Sequence, residues 1–281
     1  MTELQEKIFE VMQALDGLCK REGLNCYMLG GTMLGAIRHK GFIPWDDDAD
    51  FGLPRADYEK LLRLSKDSIP KGFRLRSYRT EAGAPYAFAR LEHEGTTLLE
   101  TRRSGSGYVG GVYVDIFPLD GDSEKKSVRT FREKKIWLLK KLLYAHIAPK
   151  NLQKSAPKKV LMAIVRGVTK RERLVKKLDE SVMHFSKGDK TEKRYSNYLG
   201  HWGKKESVPK SFFTGGTDAA SGVYSFEGVS FAGPADYDAY LTALYGADYM
   251  TIPPQKDRQS HPAEFVDLQK PFAKSQKPDK Q

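Results

Sequence analysis

Cysteine is scarce in this sequence. Its 281 residues include only two cysteines, Cys19 and Cys26, which lie close together near the amino-terminal end. Small secreted domains depend on several disulfides, so the chain does not belong to the disulfide-rich class. The pair also lacks the ligand spacing of a structural zinc site. We therefore expect both cysteines to be reduced thiols in the protein core.

Long apolar segments are also missing. No stretch approaches the roughly 18 uninterrupted apolar residues of a membrane-spanning helix. Residues 1–13 are polar and lack the apolar centre of a secretory signal peptide. These two absences predict a protein on the cytoplasmic side. A composition of 40% hydrophobic and 30% charged residues excludes wholesale disorder.

Acidic residues are rare in one part of the chain. The whole sequence has a formal net charge of +11. Residues 124–177 contain 18 lysines and arginines but only 3 acidic residues, a surplus of 15, so the remainder of the chain is slightly acidic. This asymmetry separates a basic segment from the rest and favours an anionic partner, such as nucleic acid, a lipid headgroup surface or an acidic polymer.

Hydrophobic periodicity predicts an α/β (α+β) fold with a mixed sheet, flanking helices and a basic helical insert. The predicted elements are a helix over 3–22 ending at Gly23, a strand over 26–29, a helix through Arg38 capped by Thr32, a strand over 49–53, a helix around 58–64, strands over 73–78, 86–92, 96–99 and 112–117, helices over 124–190, short strands over 212–231 and a final helix over 235–245. We divide the chain into a core (1–123), a basic helical insert (124–190), a part that completes the core domain (191–273) and a disordered tail (274–281).

The densest chemical signal is the segment 29–51, LGGTMLGAIRHKGFIPWDDDADF. Asp46, Asp47, Asp48 and Asp50 place four carboxylates within five positions, which is unfavourable without cations to neutralise them. Alternate side chains of a strand face the same way, so Asp48 and Asp50 are expected to point together, with Ala49 turned to the core. Paired carboxylates suit a hard divalent cation such as Mg²⁺, or Mn²⁺ in its place.

A further carboxylate, Asp115, lies inside the apolar run 112–117. Burying an unpaired charge there is costly. If this strand lies beside the first, Asp115 completes a site for one or two metal ions that hold a pyrophosphate. The alternative is a buried ion pair between Asp115 and Arg90 or another strand arginine.

Glycines and basic residues lie between the first strand and the aspartates. Gly30 and Gly31 end a strand and enter a helix, where backbone N–H groups are suited to binding phosphate. Arg38 and His39 follow and are candidates to neutralise donor phosphates. Taken singly, the glycine pair is a turn, the aspartate run a solvated turn and His39 a surface residue. Their order along the chain favours a metal site. No covalent nucleophile with its base is evident, so we expect direct displacement at this site.

This ordered set resembles the nucleotidyltransferase superfamily. More closely, GGTMLGAIRHKGFIPWDDDADFG resembles the LicD family of phosphocholine and polyol-phosphate transferases, to which fukutin-related proteins are similar. Residues 114–120, VDIFPLD, and residues 234–261, PADYDAYLTALYGADYMTIPPQKDRQSH, match the same family. The resemblance covers both ends of the chain. The cysteine cluster of the fukutin-related proteins is absent, so we expect no structural zinc.

The resemblance implies roles for individual residues. The implied catalytic residues and metal ligands are Asp48, Asp50 and Asp115, with Asp46 as a supporting ligand and Asp115 as base toward the attacking hydroxyl. The implied contacts to the donor nucleotide are Gly30, Gly31, Thr32 and Arg38, beside the candidate His39. The implied role of Arg258 and His261 is to reach the donor phosphate or the acceptor. For Arg258 and His261, exposed loop residues are the alternative interpretation.

The resemblance also implies an activity. It is metal-dependent transfer of phosphocholine from CDP-choline to a sugar hydroxyl of a cell-surface glycan, such as a teichoic acid, capsule or lipo-oligosaccharide precursor, with release of CMP. One alternative is transfer of ribitol-, glycerol- or ethanolamine-phosphate from the corresponding CDP donor. Another is a nucleotidyltransferase that places a nucleoside monophosphate on a small molecule.

The basic insert leaves two interpretations open. Lysines and arginines alternate with Trp137, Leu138 and other apolar residues between 124 and 177, a pattern typical of a helix on an anionic membrane surface. Such a contact would place the enzyme at the inner face of the membrane, near a lipid-linked or anionic glycan acceptor. The other interpretation is a helical subdomain whose charges are only solvated. Specific nucleic-acid binding is not expected, because no zinc-finger, helix-turn-helix or RNA-binding motif is present.

Overall fold

The computed structural model describes residues 1–81, 83–149, 155–183, 193–200, 207–214, 222–258 and 263–271. The helices are α1 (Glu3–Glu22), α2 (Gly30–Arg38), α3 (Arg55–Arg63), α4 (Lys126–Ile147), α5 (Ala156–Val168), α6 (Arg171–Val182), α7 (Ser211–Thr214) and α8 (Tyr237–Tyr245). The strands are β1 (Tyr27–Met28), β2 (Asp50–Pro54), β3 (Phe73–Arg76), β4 (Ala89–His93), β5 (Thr97–Glu100), β6 (Tyr113–Asp122), β7 (Arg194–Ser196), β8 (Ser207–Pro209), β9 (Gly222–Phe226), β10 (Val229–Gly233) and β11 (Ala263–Asp267). Short 3₁₀ helices cover Lys66–Ser68, Thr101–Ser106 and Gln255–Asp257.

A mixed sheet organises the core, as the sequence predicts. Its strand order is β1-β2-β6-β4-β3, and β7 continues from β6 to β8. The β2–β6 pair is parallel, whereas the other pairs in this sheet are antiparallel. Two antiparallel pairs, β9–β10 and β5–β11, stand apart from it. The result is an α+β fold of the nucleotidyltransferase-like kind.

Helix α1 forms as the periodicity predicts. The Thr2 hydroxyl accepts a hydrogen bond from the Gln5 backbone N–H, and the Gln5 side chain accepts one from the Thr2 backbone, which is a capping box. Gly23 ends the helix in the left-handed conformation, at φ 63°, which glycine adopts without steric cost. The apolar face of α1 is buried in the core that also contains residues of β4 and β6.

Several predicted boundaries are wrong. Thr32 does not cap α2: the N-cap position is Leu29, and Thr32 lies inside the helix. Strand β6 continues through Pro118 to Asp122, since β2 and β7 pair with its second half. Phe212 lies in α7 rather than in a strand. The strand β11, which follows α8, was not predicted. The tail 274–281 lies outside the described residues.

The basic insert folds as helices α4, α5 and α6. Within the described residues, no helix is long and apolar enough to cross a membrane. Two buried ion pairs fasten the insert to the core: Arg132 of α4 donates to Asp122 of β6 at 2.5 Å, and Arg55 of α3 donates to Asp179 of α6 at 3.2 Å. Breaking a buried pair leaves an uncompensated charge, so these contacts hold α4 and α6 against the core. The proposed domain limits at 123 and 190 stay a prediction.

Cys19 is buried and Cys26 is half-buried, and neither forms a disulfide. This arrangement agrees with the expectation of reduced thiols. Burial raises the pKa of the Cys26 thiol well above its ordinary value. A thiol held in the neutral form is a poor nucleophile, so Cys26 is a structural residue.

Candidate active site at the β2–β6 pair

The aspartate-rich loop is held by contacts on both sides. At its start, the Gln5 side-chain amide donates to the Asp46 carbonyl at 2.9 Å. At its end, the Asp50 backbone N–H donates to the Thr32 hydroxyl at 2.8 Å. Ala49 is fully buried between them, as the alternation predicts. The loop is therefore fixed to α1 and α2 before β2 begins.

Strand pairing brings distant aspartates together. Asp50 of β2 and Asp115 of β6 are register partners in the parallel pair. The Asp115 backbone N–H also donates to the Ala49 carbonyl at 2.9 Å. Register partners of neighbouring strands point to the same face of a sheet, so the two carboxylates share one side. Asp48 is close enough to raise the pKa of Asp115. The structure thus brings Asp48, Asp50 and Asp115 into one region.

Asp46 lies against the start of α2. A Cβ atom at Gly31 would lie 2.9 Å from the Asp46 Oδ2 atom, so a larger residue there would displace the Asp46 carboxylate. Burial and the neighbouring Asp48 carboxylate raise the pKa of Asp46 to about 9. Two carboxylates this close cannot both ionise easily, so the cluster holds a proton at neutral pH unless a cation displaces it.

Asp115 forms an ion pair with Arg90. This pair is the alternative to a metal site that the sequence left open. The buried Arg90 donates from Nε to Asp115 Oδ1 at 2.6 Å and from Nη1 to Glu100 Oε2 at 2.8 Å. Glu100 also accepts a hydrogen bond from the Tyr113 hydroxyl at 2.8 Å. Burial raises the pKa of Asp115 to about 7 against the opposing effect of Arg90, with Glu100 and Asp48 adding to the rise.

Aromatic rings surround the Arg90 guanidinium. Its central carbon lies 3.5 Å from the ring centroid of Tyr113, 4.6 Å from that of Tyr86 and 5.9 Å from that of Phe88. Rings in these positions stabilise a buried cation. Sequence reasoning missed Glu100 and Tyr86. A charged residue on the apolar strand 86–92 was a signal that Arg90 needs acidic partners, and the sequence indicated Asp115 as one of them but not Glu100.

The predicted phosphate contacts are only partly arranged for that role. The Gly30 backbone N–H donates to the Tyr240 hydroxyl of α8 at 3.1 Å, so this donor already has a partner. Thr32 points its hydroxyl to the Asp50 backbone. Gly31 remains the glycine of the pair that lies beside the aspartates.

Trp45 contacts two basic residues near the aspartate loop. This role of Trp45 was not identified from the sequence. The Arg258 guanidinium lies over its ring at 4.2 Å, and the His39 ring meets it edge-on at 6.1 Å. Arg38 donates to the carbonyls of Tyr249 and Thr251 at 2.9 and 3.2 Å, which fastens the segment leading to Arg258. Burial and the neighbouring Arg38 lower the pKa of His39, so His39 adds no positive charge at neutral pH. His261 lies outside the described residues.

The carboxylates have the chemistry that a divalent cation requires. Asp46, Asp48, Asp50 and Asp115 supply only hard oxygen donors, and burial together with neighbouring carboxylates raises the pKa values of Asp46 and Asp115. Among the residues that the structure describes, no three acidic, histidine or cysteine side chains are already set around one point for a metal ion. A cation bound here would compete with Arg90 for Asp115.

We expect the metal-free protein to lose stability as the pH rises. A carboxyl with a raised pKa in the fold is neutral there while it is already ionised in the unfolded chain, so its stabilising contribution is complete below about pH 4. That contribution disappears as the pH rises to about 7 for Asp115 and about 9 for Asp46. Thermal unfolding in EDTA should show a falling Tm over this range. In Asp46→Asn the fall should be smaller, by on the order of 1–3 kcal/mol in unfolding free energy. An identical slope in that variant would contradict the assignment.

The chain matches a family of known fold. The family model described as LicD/FKTN/FKRP, nucleotidyltransferase domain, matches residues 23–149. The matched region runs from just before β1 to just past α4, and it contains all four aspartates of the cluster. The match therefore covers the site and the first helix of the basic insert.

Individual relatives extend the similarity. The chain is 26% identical over 273 residues to the lipopolysaccharide cholinephosphotransferase LicD of Haemophilus influenzae, covering 93% of this chain and 95% of that protein. An uncharacterized protein of Rickettsia typhi is 29% identical over 25% of this chain and 22% of its own length. One from Rickettsia prowazekii is 36% identical over 20% of this chain and 21% of its own length. Residues 23–149 match the nucleotidyltransferase domain of the LicD family, and nearly the whole chain is similar to one LicD protein.

Proposed function

We propose that this protein moves phosphocholine from CDP-choline to a sugar hydroxyl of a cell-surface glycan and releases CMP. The protein is a phosphotransferase of the LicD family. What supports the choline head group is the similarity to the Haemophilus influenzae cholinephosphotransferase, which extends over nearly the whole of both chains. The acceptor is a glycan of the lipopolysaccharide, teichoic acid or capsule class.

One observation carries the proposal. Carboxylates from separate parts of the chain, Asp50 and Asp115, share one face of the β2–β6 pair, and Asp48 is close enough to act on Asp115. A divalent cation, Mg²⁺ or Mn²⁺, held by these residues and Asp46 would neutralise the diphosphate of the donor and stabilise charge on the leaving phosphate. Such a site serves phosphoryl chemistry and has no evident use in a structural protein.

The remaining residues bind the donor and move a proton. Arg258 above Trp45, together with the backbone of Gly31 at the start of α2, is positioned to meet the donor phosphates. Asp115 accepts the proton of the attacking hydroxyl as general base. The hydroxyl oxygen bonds to the phosphocholine phosphorus while the bond to the CMP oxygen breaks. Arg90 orients Asp115 for this transfer.

A thermal-shift panel identifies the donor. We expect CDP-choline with Mg²⁺ to raise the Tm of the protein more than CDP-ribitol, CDP-glycerol or CDP-ethanolamine, because a ligand that binds only the folded state stabilises it by mass action. CMP alone serves as the control for nucleotide binding without a head group. A larger increase in Tm with another CDP donor would indicate that the head group of that donor, rather than choline, is transferred. Incubation with a glycan acceptor should then release CMP, whereas a nucleotide left on the acceptor would contradict the proposal.

A further inference from the structure

Two helices of the basic insert expose an unusual number of large apolar side chains. On α5, Val160, Leu161, Ile164 and Val168 are 55–77% exposed, and their helical spacing places them on one face. No residue of α5 is buried. On α4, Phe131, Trp137 and Leu138 are 52–72% exposed. Isolated exposed apolar residues are ordinary, but a complete apolar helix face is not.

Helix α5 is fixed in place despite its exposure. Arg166 donates from Nε to the Ala145 carbonyl at 2.6 Å and from Nη2 to the Ala148 carbonyl at 3.3 Å. The His146 ring is hydrogen-bonded to the Thr169 hydroxyl at 2.8 Å. These contacts join α5 to the end of α4. The apolar face of α5 is therefore presented outward by a fixed helix.

Positive charge surrounds the exposed apolar residues. Lys158 and Lys159 precede Val160 on α5, and both are exposed. On α4, Lys134, Lys135 and Lys141 are exposed beside Trp137, and the Lys141 ammonium lies 5.5 Å from a Trp137 ring centroid. Lysines with long apolar stems at the border of an apolar face are typical of helices that lie in a membrane interface.

We propose that the exposed faces of α4 and α5 form a docking surface for an anionic lipid bilayer. The surplus of 15 positive charges over residues 124–177 is complementary to anionic headgroups. The apolar side chains favour a bilayer over a nucleic acid, because a nucleic acid offers phosphates but no apolar layer to receive Leu161 and Ile164. This surface is independent of the aspartate cluster, and the inference does not rest on the proposed function.

Packing connects the insert to the core beside the site. The 3₁₀ helix Thr101–Ser106 directly follows Glu100, the partner of Arg90. It packs on the carboxyl end of α4, where Gly105 approaches the Ala148 backbone so closely that a Cβ atom has no room. Arg171 at the start of α6 donates to the Ser106 carbonyl at 3.0 Å. These contacts connect the insert to the segment that follows Glu100.

Vesicle sedimentation with the full-length protein tests the proposal. We expect the protein to sediment with vesicles of phosphatidylcholine mixed with phosphatidylglycerol, and to stay in solution with phosphatidylcholine alone. Val160→Ser/Ile164→Ser should weaken binding by roughly tenfold, because both side chains lose apolar burial in the interface. The matched control is Val223→Ser/Ile252→Ser, which changes residues of similar exposure outside the insert and should bind as the wild type does.

Charge and competing partners are tested in the same assay. Lys158→Glu/Lys159→Glu should also weaken vesicle binding, and salt raised from about 0.1 M to about 1 M should weaken it further. Unchanged vesicle binding by Val160→Ser/Ile164→Ser would overturn the proposal. Binding of a DNA duplex as tightly as vesicles would also overturn the proposal. Release of CMP from CDP-choline with a soluble acceptor should be normal in these variants, which separates this inference from the proposed activity.

Discussion

Replacement of Asp48 or Asp50 by asparagine is expected to abolish turnover while the protein stays folded. Each substitution removes one carboxylate from the region that Asp48, Asp50 and Asp115 share, so a cation would be held weakly or not at all. The rate should fall by at least about 10³-fold, which corresponds to roughly 4 kcal/mol of lost transition-state stabilisation. The Tm of the metal-free variant should be unchanged or higher, because repulsion within the cluster decreases.

Asp47→Asn is the matched control for this loss. Asp47 lies in the same loop and carries the same charge, but it is not among the proposed ligands. Its replacement should retain most of the activity, because only the local field changes. Release of CMP from CDP-choline is the measurement for all three variants. Wild-type rates from Asp48→Asn or Asp50→Asn would remove the metal assignment.

Replacement of Arg90 by leucine should have the largest effect on stability. Arg90 is only 2% exposed and pairs with both Asp115 and Glu100. Its loss leaves the buried Asp115 without the guanidinium that pairs with it, whereas Glu100 keeps Arg103, and breaking a buried pair costs about 3–5 kcal/mol. Urea denaturation of the metal-free protein measures this loss as a lower midpoint at constant slope.

Arg103→Leu is the control for Arg90. Arg103 also donates to Glu100, at 2.9 Å, but its side chain is 18% exposed and Glu100 keeps Arg90 as a partner. The loss there should be about 1 kcal/mol or less. If divalent cations restore part of the stability of Arg90→Leu, the cluster binds a cation where the guanidinium was lost. Equal stability of the two variants would contradict the role assigned to Arg90.

The parts of the fold that depend on local sequence were predictable. Helix α1 follows from its apolar spacing, from the Thr2 and Gln5 pair and from Gly23, all of which act within one or two helical turns. Ala49 was expected to turn to the core, and it is fully buried. The meeting of Asp50 and Asp115 required one further assumption, namely that their strands are neighbours, and the parallel register confirms it.

Contacts between distant elements were not predictable from local patterns. The Tyr240 hydroxyl of α8 accepts a hydrogen bond from the Gly30 N–H, and the Arg258 guanidinium lies over the Trp45 ring. Both contacts arise because tertiary packing brings the carboxyl-terminal part of the chain to the first helices. Nothing in the spacing of either residue indicates its partner. The cap assigned to Thr32 failed for a similar reason: its hydroxyl is used by the Asp50 backbone of a neighbouring strand rather than by its own helix.

The insert shows both outcomes at once. The sequence predicted helices with apolar stripes but left open whether the stripes pack on the core or face outward. Helix α6 buries Leu174, Val175 and Leu178, whereas α5 buries none of its residues. The two patterns look alike in sequence, because helical periodicity defines a face but not what covers it.

Binding of Mn²⁺ in the presence of CDP-choline, followed by electron paramagnetic resonance, tests the central claim most directly. The wild type should bind one or two ions, and Asp115→Asn should lose at least one of them even though Asp115 is far from the aspartate loop in the sequence. Asp120→Asn, which changes a buried carboxylate on the same strand that is paired with Arg55, is the control and should bind Mn²⁺ as the wild type does. Equal Mn²⁺ binding by wild type and Asp115→Asn would contradict the claim that β2 and β6 together hold the cation.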